Sequence, residues 1–171
     1  MVLAGAMSAK DGKMNFREIC KADDEALAAI IRTNLKAHKL DIPGTVYFDS
    51  NLDHLSDFYL GDKTERFYFI ALEDEEVVGG IGLARFEFFD DCAELQKLYL
   101  ADSVKGSGIG YTLISMIEDK ARELGYKQMY LETHTNLATA IHVYEKSGYK
   151  EIEKPAGVVH ATMDRFFIKK L

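Results

Sequence analysis

Cysteine is nearly missing from this chain: Cys20 and Cys92 are the only two, and neither belongs to a Cys-x-x-Cys pair or to a Cys/His cluster with metal-ligand spacing. That excludes a disulfide framework and a cysteine metal site. Both thiols then read as small buried hydrophobes, and a reduced, cytoplasmic setting fits. Positive charge is also short. Lys and Arg number 21 against 28 Asp and Glu, and the net charge of -7 argues against a nucleic-acid binder or a protein held on an anionic membrane. No apolar run reaches the 18 residues that suggest a transmembrane helix. The opening MVLAGAMSAKDGK lacks the basic, apolar and cleavage regions of a signal peptide in their proper order, so residues 1–13 read as a flexible leader or an expression remnant.

What is present suffices for one domain. With 47% hydrophobic residues the chain can bury a real core, and residues 14–171 are taken as a single unit without repeats or linkers. Asn15 to Cys20 alternates as a first strand. Acids at 23–25 then open a helix whose inner stripe runs Leu27, Ile30, Ile31, Asn34, Leu35. Asp41-Ile42-Pro43-Gly44 is a turn, Thr45 to Phe48 an apolar loop or short extended piece, and a second helix is expected over about 53–59. Two strands, Arg66 to Leu72 and Glu76 to Phe86, flank Glu73-Asp74-Glu75, a solvated hairpin turn rather than a metal site. Gly79, Gly80 and Gly82 thin the second of these strands and suggest close packing or a bulge. Further strands are expected at 93–100, 127–132, 149–152 and 162–168, with a helix from Asn136 to Ser147. The order β-α-α-β-β-β-α-β-α-β-β is a mixed sheet flanked by helices, an α/β or α+β domain.

The chemistry concentrates after the strand at 93–100. Lys105-Gly106-Ser107-Gly108-Ile109-Gly110 places three glycines at alternate positions, freeing the backbone for positive φ and close approach. Ile109, Leu113, Ile114, Ile117, Ala121 and Leu124 follow at helical spacing until Gly125. A turn of this kind delivers backbone N–H groups and the positive end of a helix dipole to one point, a place for phosphate. It is not a P-loop, because Tyr111-Thr112 stands where Lys-Ser/Thr is needed. Nor is it a GxGxxG dinucleotide loop, because the third glycine comes too early.

Lys105 to Gly110 resembles the Gln/Arg-x-x-Gly-x-Gly/Ala signature of the GNAT superfamily of acetyl-CoA-dependent N-acetyltransferases, with Lys105 replacing the usual Gln or Arg. The resemblance extends from AELQKLYL before the signature to Asn136 and AIHVYEKSGYKEI after it. It implies the GNAT fold, in which the fourth strand splays from the next parallel strand and the cofactor's pantetheine arm enters the gap. Main-chain groups of Leu98, Tyr99 and Leu100 would hold that arm, amides of Lys105, Gly106, Ser107, Gly108, Ile109, Gly110 and Tyr111 the pyrophosphate, and Asn136 would add a contact. Tyr144 resembles the tyrosine that faces the cofactor sulfur, a phenol able to donate a proton to the leaving thiolate. Glu94 resembles a carboxylate base and by simple alternation shares a face with Leu98 and Leu100, a placement that a bulge would break. His134 or water are the alternative bases. The implied activity is transfer of acetyl from acetyl-CoA to a primary amine by direct attack, without a metal. The alternative is a noncatalytic acyl-CoA-binding module. The acceptor stays open between a small amine, a polyamine, an amino acid and a protein amine, shaped by Tyr47, Phe48 and the segment 41–60, and homodimerisation stays open too.

Overall fold

The structure is a computed structural model that describes residues 12–159 and 162–171, so of the leader expected at 1–13 only residues 12 and 13 lie within it. Strand β1 (Met14–Glu18) leads through a 3-10 turn into helix α1 (Asp24–Ala37). Leu27, Ala28, Ile31 and Leu35 form the helix's buried stripe, as their spacing requires. Buried Asp24 accepts hydrogen bonds from the Ser56 N–H at 2.8 Å and hydroxyl at 2.6 Å, tying the start of α1 to helix α2 (Leu55–Gly61). Strands β2 (Phe67–Glu73) and β3 (Glu76–Arg85) form the expected hairpin. Its two-residue turn, Asp74 and Glu75, takes φ of 47° and 70°, the left-handed pair that matches strand twist.

Strand β4 (Cys92–Leu100), helix α3 (Ile109–Glu123), strand β5 (Gln128–Thr133), helix α4 (Ala138–Lys146), and strands β6 (Lys150–Ile152) and β7 (Arg165–Lys170) complete the order expected from the sequence. The seven strands lie in one sheet as β1-β2-β3-β4-β5-β7-β6, antiparallel except for β4 against β5. Helices α3 and α4 cover one face over Ile81, Leu83, Ala93, Leu95 and Leu131; α1 and α2 cover the other over Tyr68, Ile70 and Leu72. At Gly82 this second layer comes so close that a Cβ would lie 2.9 Å from the Tyr59 ring, which is why the strand carries glycine there.

Four local expectations shift. Val46–Phe48 winds as a 3-10 turn instead of extending, and α2 begins at Leu55 because Leu52–His54 forms another such turn. The last strand starts at Arg165, since Asp164 is occupied in holding the Thr135 N–H and hydroxyl at 2.9 and 2.8 Å. Helix α4 starts at Ala138, two residues after Asn136, so Asn136 is not its cap.

The largest departure is in β4. Gly80 pairs with Tyr99 but Gly82 pairs with Gln96, so β4 carries one residue more than β3 between these points. Lys97 takes that extra place in a left-handed conformation, φ 51°, and this bulge reverses the alternation of faces. Ala93, Leu95, Leu98 and Leu100 all pack on the α3/α4 side, whereas Tyr99 joins the α1/α2 side. Glu94 and Gln96, which hydrogen-bonds Tyr59 of α2, lie on that second side as well. The expectation that Glu94 shares a face with Leu98 and Leu100 is therefore corrected.

Candidate active site

The parallel pairing of β4 with β5 lasts only from Cys92–Gln128 to Glu94–Tyr130, and beyond it the two strands run on to Leu100 and Thr133 without pairing to each other. Two strands that part in mid-sheet leave a wedge with backbone groups on its walls. A cavity of about 470 Å³ opens against the far end of β4. Leu98, Leu100, Val104 and Ile109 form one apolar wall, and Leu137, Ala140 and Val143 of the α4 segment form the other. Lys105, Gly106, Gly108, Gly110, Tyr111, Thr139 and His38 line the remainder.

The glycine turn gives the cavity its polar end. Gly106 and Gly108 take φ of 77° and 85°, and no atom lies within 4 Å of a Cβ built on either, so conformation rather than crowding calls for glycine. Gly108 is the N-cap of α3, and the Thr112 N–H is the first to bond back, to the Gly108 carbonyl at 3.3 Å. Among the described residues the N–H groups of Gly106, Gly108, Ile109, Gly110 and Tyr111 have no backbone acceptor. Ser107 differs: its N–H and hydroxyl both bond the Val104 carbonyl, which folds it onto its own loop and outside the lining. Lys105 lies at the rim with its ammonium 2.6 Å from Asp102.

Neither Tyr99 nor Asn136 lines the cavity. The Tyr99 carbonyl sits over Gly79, so its backbone faces β3, while Leu98 and Leu100 face the wedge. The Leu100 carbonyl also accepts from the Asn34 amide at 2.9 Å, and the same amide bonds the Ile30 carbonyl at 2.9 Å, pinning β4 to α1. Asn136 donates to the His38 carbonyl at 3.0 Å and so steadies the junction between α1 and the approach to α4.

Tyr144 lies on α4 beside Val143, 6% exposed, with its ring 6.1 Å from Tyr149. Burial, and next the neighbouring Tyr99 phenol, raise its pKa above the ordinary value, so it stays protonated through neutral pH. Its hydroxyl has no hydrogen-bond partner among the described residues. Glu94 stands where the two strands part and accepts from the Gln96 amide at 3.0 Å. His134 is a poorer base. Its Nδ1 accepts from the Asn136 N–H at 3.0 Å, so the neutral ring already carries its proton on Nε2. Cys92 is 1% exposed, and burial pushes its thiol up to about 12. Cys20 is exposed in the turn before α1, which corrects the expectation that both thiols are buried. No helix among the described residues is long and apolar enough to cross a membrane.

Sequence reasoning missed His38, Val104, Leu137, Thr139, Ala140 and Val143 as cavity residues. The signal available was the 137, 140, 143 spacing, which places three side chains on one face of α4.

The family model described as the acetyltransferase (GNAT) family matches residues 28–149. Over 144 residues the chain is 34% identical to an uncharacterized N-acetyltransferase, YjgM, of Escherichia coli K12, covering 83% of this chain and 85% of that one. Among solved structures, a GNAT-family acetyltransferase from Staphylococcus aureus Mu50 aligns with a TM-score of 0.81 at 21% identity, over 93% of this chain and 99% of its own. The PaiA N-acetyltransferase of Thermoplasma acidophilum, solved in complex with coenzyme A, aligns with a TM-score of 0.74 at 22% identity over the same shares, 93% and 99%. At such identities the two structures speak for the fold alone.

Proposed function

The chain belongs to the GNAT family and is an acyltransferase; from that premise we propose that it moves acetyl from acetyl-CoA to a primary amine by direct attack, with Glu94 as base and Tyr144 as the group facing the sulfur. The observation that carries this reading is the wedge, whose two ends have the chemistry of the two ends of the cosubstrate. Unpaired N–H groups at the start of α3 suit a pyrophosphate, the apolar walls suit the pantetheine arm, and backbone groups of Leu98 suit its amides and the thioester oxygen. Neither Glu94 nor Tyr144 lines the cavity itself: Glu94 lies on the α1/α2 side of the sheet and Tyr144 on the α3/α4 side, and in this reading the two act on the acetyl group from those two sides.

The amine attacks the thioester carbonyl carbon, and the oxygen takes up negative charge beside the β4 backbone. As the C–S bond breaks, the Tyr144 phenol hydrogen-bonds the departing sulfur, and the proton lost by the amine passes to Glu94 directly or through water. A covalent acyl-enzyme has no support, since Cys92 is buried and held as a thiol while Cys20 sits on another part of the surface. The acceptor is drawn from amines that fit between the 41–60 segment and the wedge, where Phe48 is 60% exposed and Tyr47 packs on it with ring centres 5.0 Å apart.

The test is thiol release from acetyl-CoA with a panel running from a small alkylamine through a polyamine and an amino acid to a lysine peptide. Sustained turnover on one class is expected. Tight acetyl-CoA binding with no turnover on any of them would overturn the reading.

A further inference from the structure

A hydrogen-bonded chain runs from the interior of the α2 layer to Glu94. The Tyr59 hydroxyl donates to Gln96 Oε1 at 2.9 Å, and Gln96 Nε2 donates to Glu94 Oε2 at 3.0 Å. Tyr59 is 1% exposed. Its ring is wedged between Phe58 and Tyr68, each 4.9 Å away, and lies against Gly82, so its hydroxyl has a fixed address. Burial first, then the charge of Glu94, raise its pKa, and it remains a donor at every working pH.

An amide side chain has two ends of nearly equal shape, and the chain selects one orientation. Flipped, Gln96 would set its oxygen against a Glu94 oxygen, and the donor that Tyr59 offers would lose its acceptor. Both Glu94 and Gln96 precede the bulge at Lys97 and share the α2 side of β4, a juxtaposition that the bulge preserves by turning the strand only afterwards. We infer that Gln96 is the positioning residue of the base, fixing the Glu94 carboxylate where β4 leaves β5 and favouring its ionised form, with Tyr59 fixing Gln96 in turn. This rests on Glu94 as the base. Among the described residues, charged and titratable groups that bear on Glu94 include Tyr59 from α2, Cys92 and Lys97 from β4 and Tyr130 from β5, while β3 opposes it with Ala84. Gln96 is the neutral one whose effect a substitution can isolate.

Single-turnover thiol release with the responding amine of the panel provides the test. Gln96→Met keeps the length of the side chain and removes the donor. It is expected to slow acetyl transfer about tenfold, the worth of one charge-assisted hydrogen bond, to leave acetyl-CoA affinity unchanged, and to move the acid limb of the pH–rate profile to higher pH. Tyr59→Phe should move that limb the same way by less, which keeps the inference testable if the Met variant does not fold. The double variant Glu94→Gln/Gln96→Met should be no slower than Glu94→Gln alone, because Gln96 acts through Glu94. Folded variants with an unmoved acid limb, or additive losses in the double variant, overturn the inference even where Glu94→Gln is inactive. Full activity of Glu94→Gln would instead remove the base assignment and the inference with it.

Discussion

Gly108→Asp is the substitution that tests the glycine turn, because the structure separates its cost to folding from its cost to binding. Gly108 has φ 85° and ψ 0°, and nothing lies within 4 Å of an added Cβ. The fold therefore loses only the left-handed preference of glycine, about 1 kcal/mol for a residue as tolerant of this region as Asp. In a chain of this size that lowers Tm by about 2–4 °C. At the N-cap the new carboxylate can also accept from the free N–H groups of the first helical turn, which offsets part of the loss. Binding suffers differently. A carboxylate about 4 Å from a pyrophosphate oxygen repels it by about 4 kcal/mol at an effective dielectric near 20. At about 1.4 kcal/mol per decade, acetyl-CoA affinity should fall by about 10²- to 10³-fold. Gly108→Asn, equal in shape and uncharged, should lose about tenfold by occupying the same donors, and added salt should narrow the gap between the two variants. Calorimetric titration with acetyl-CoA, alongside thermal unfolding, measures all of this. A folded Gly108→Asp that binds acetyl-CoA as wild type does would refute the placement of the phosphates.

Three further outcomes follow from the geometry. Tyr144→Phe keeps the ring and its contact with Tyr149, so acetyl-CoA affinity should hold while single-turnover transfer falls by about 10²- to 10⁴-fold, read by thiol release over a pH range. In native protein a disulfide reagent should titrate Cys20 and spare Cys92, which should react only after denaturation; early loss of both thiols would contradict the burial of Cys92. Burial alone would raise the Asp23 carboxyl, but hydrogen bonds from Arg17 at 2.7 and 2.8 Å and from the Cys20 N–H outweigh it and hold its pKa below the usual value. A depressed folded pKa contributes stability above the unfolded value of about 4 and loses it as pH falls through the folded one. Urea unfolding should accordingly show Arg17→Met less stable than wild type at pH 6 and the difference shrinking below about pH 4.

Elements whose cause is local could be read before any coordinates. The stripe of Leu27, Ile31 and Leu35, the glycine turn ahead of Ile109 and the acidic hairpin at 73–75 each follow from neighbours in the chain, and their order held throughout. The face of Glu94 could not be read. A left-handed lysine in mid-strand has no compositional mark, since glycine or asparagine is what that conformation ordinarily selects, and one such residue inverts everything after it. Gln96 carries no mark of its role for a related reason: a polar residue on a half-buried strand looks like surface until the strand beside it departs. The insertion of β7 between β5 and β6 is equally silent, because pairing between strands far apart in sequence depends on the packed whole.

That insertion bears on how the chain reaches its folded state. β7 is synthesised after both of the strands it separates, and among the described residues β6 has no other partner in the sheet. Until residues 165–170 arrive, β5 presents the bare edge of a half-built sheet, with Met129 and Leu131 among its side chains, and β6 has nothing to dock on. Nascent chains halted before Arg165 should therefore be sticky and quick to aggregate, and the last slow event of refolding should be the entry of this strand into a slot already bounded on one side.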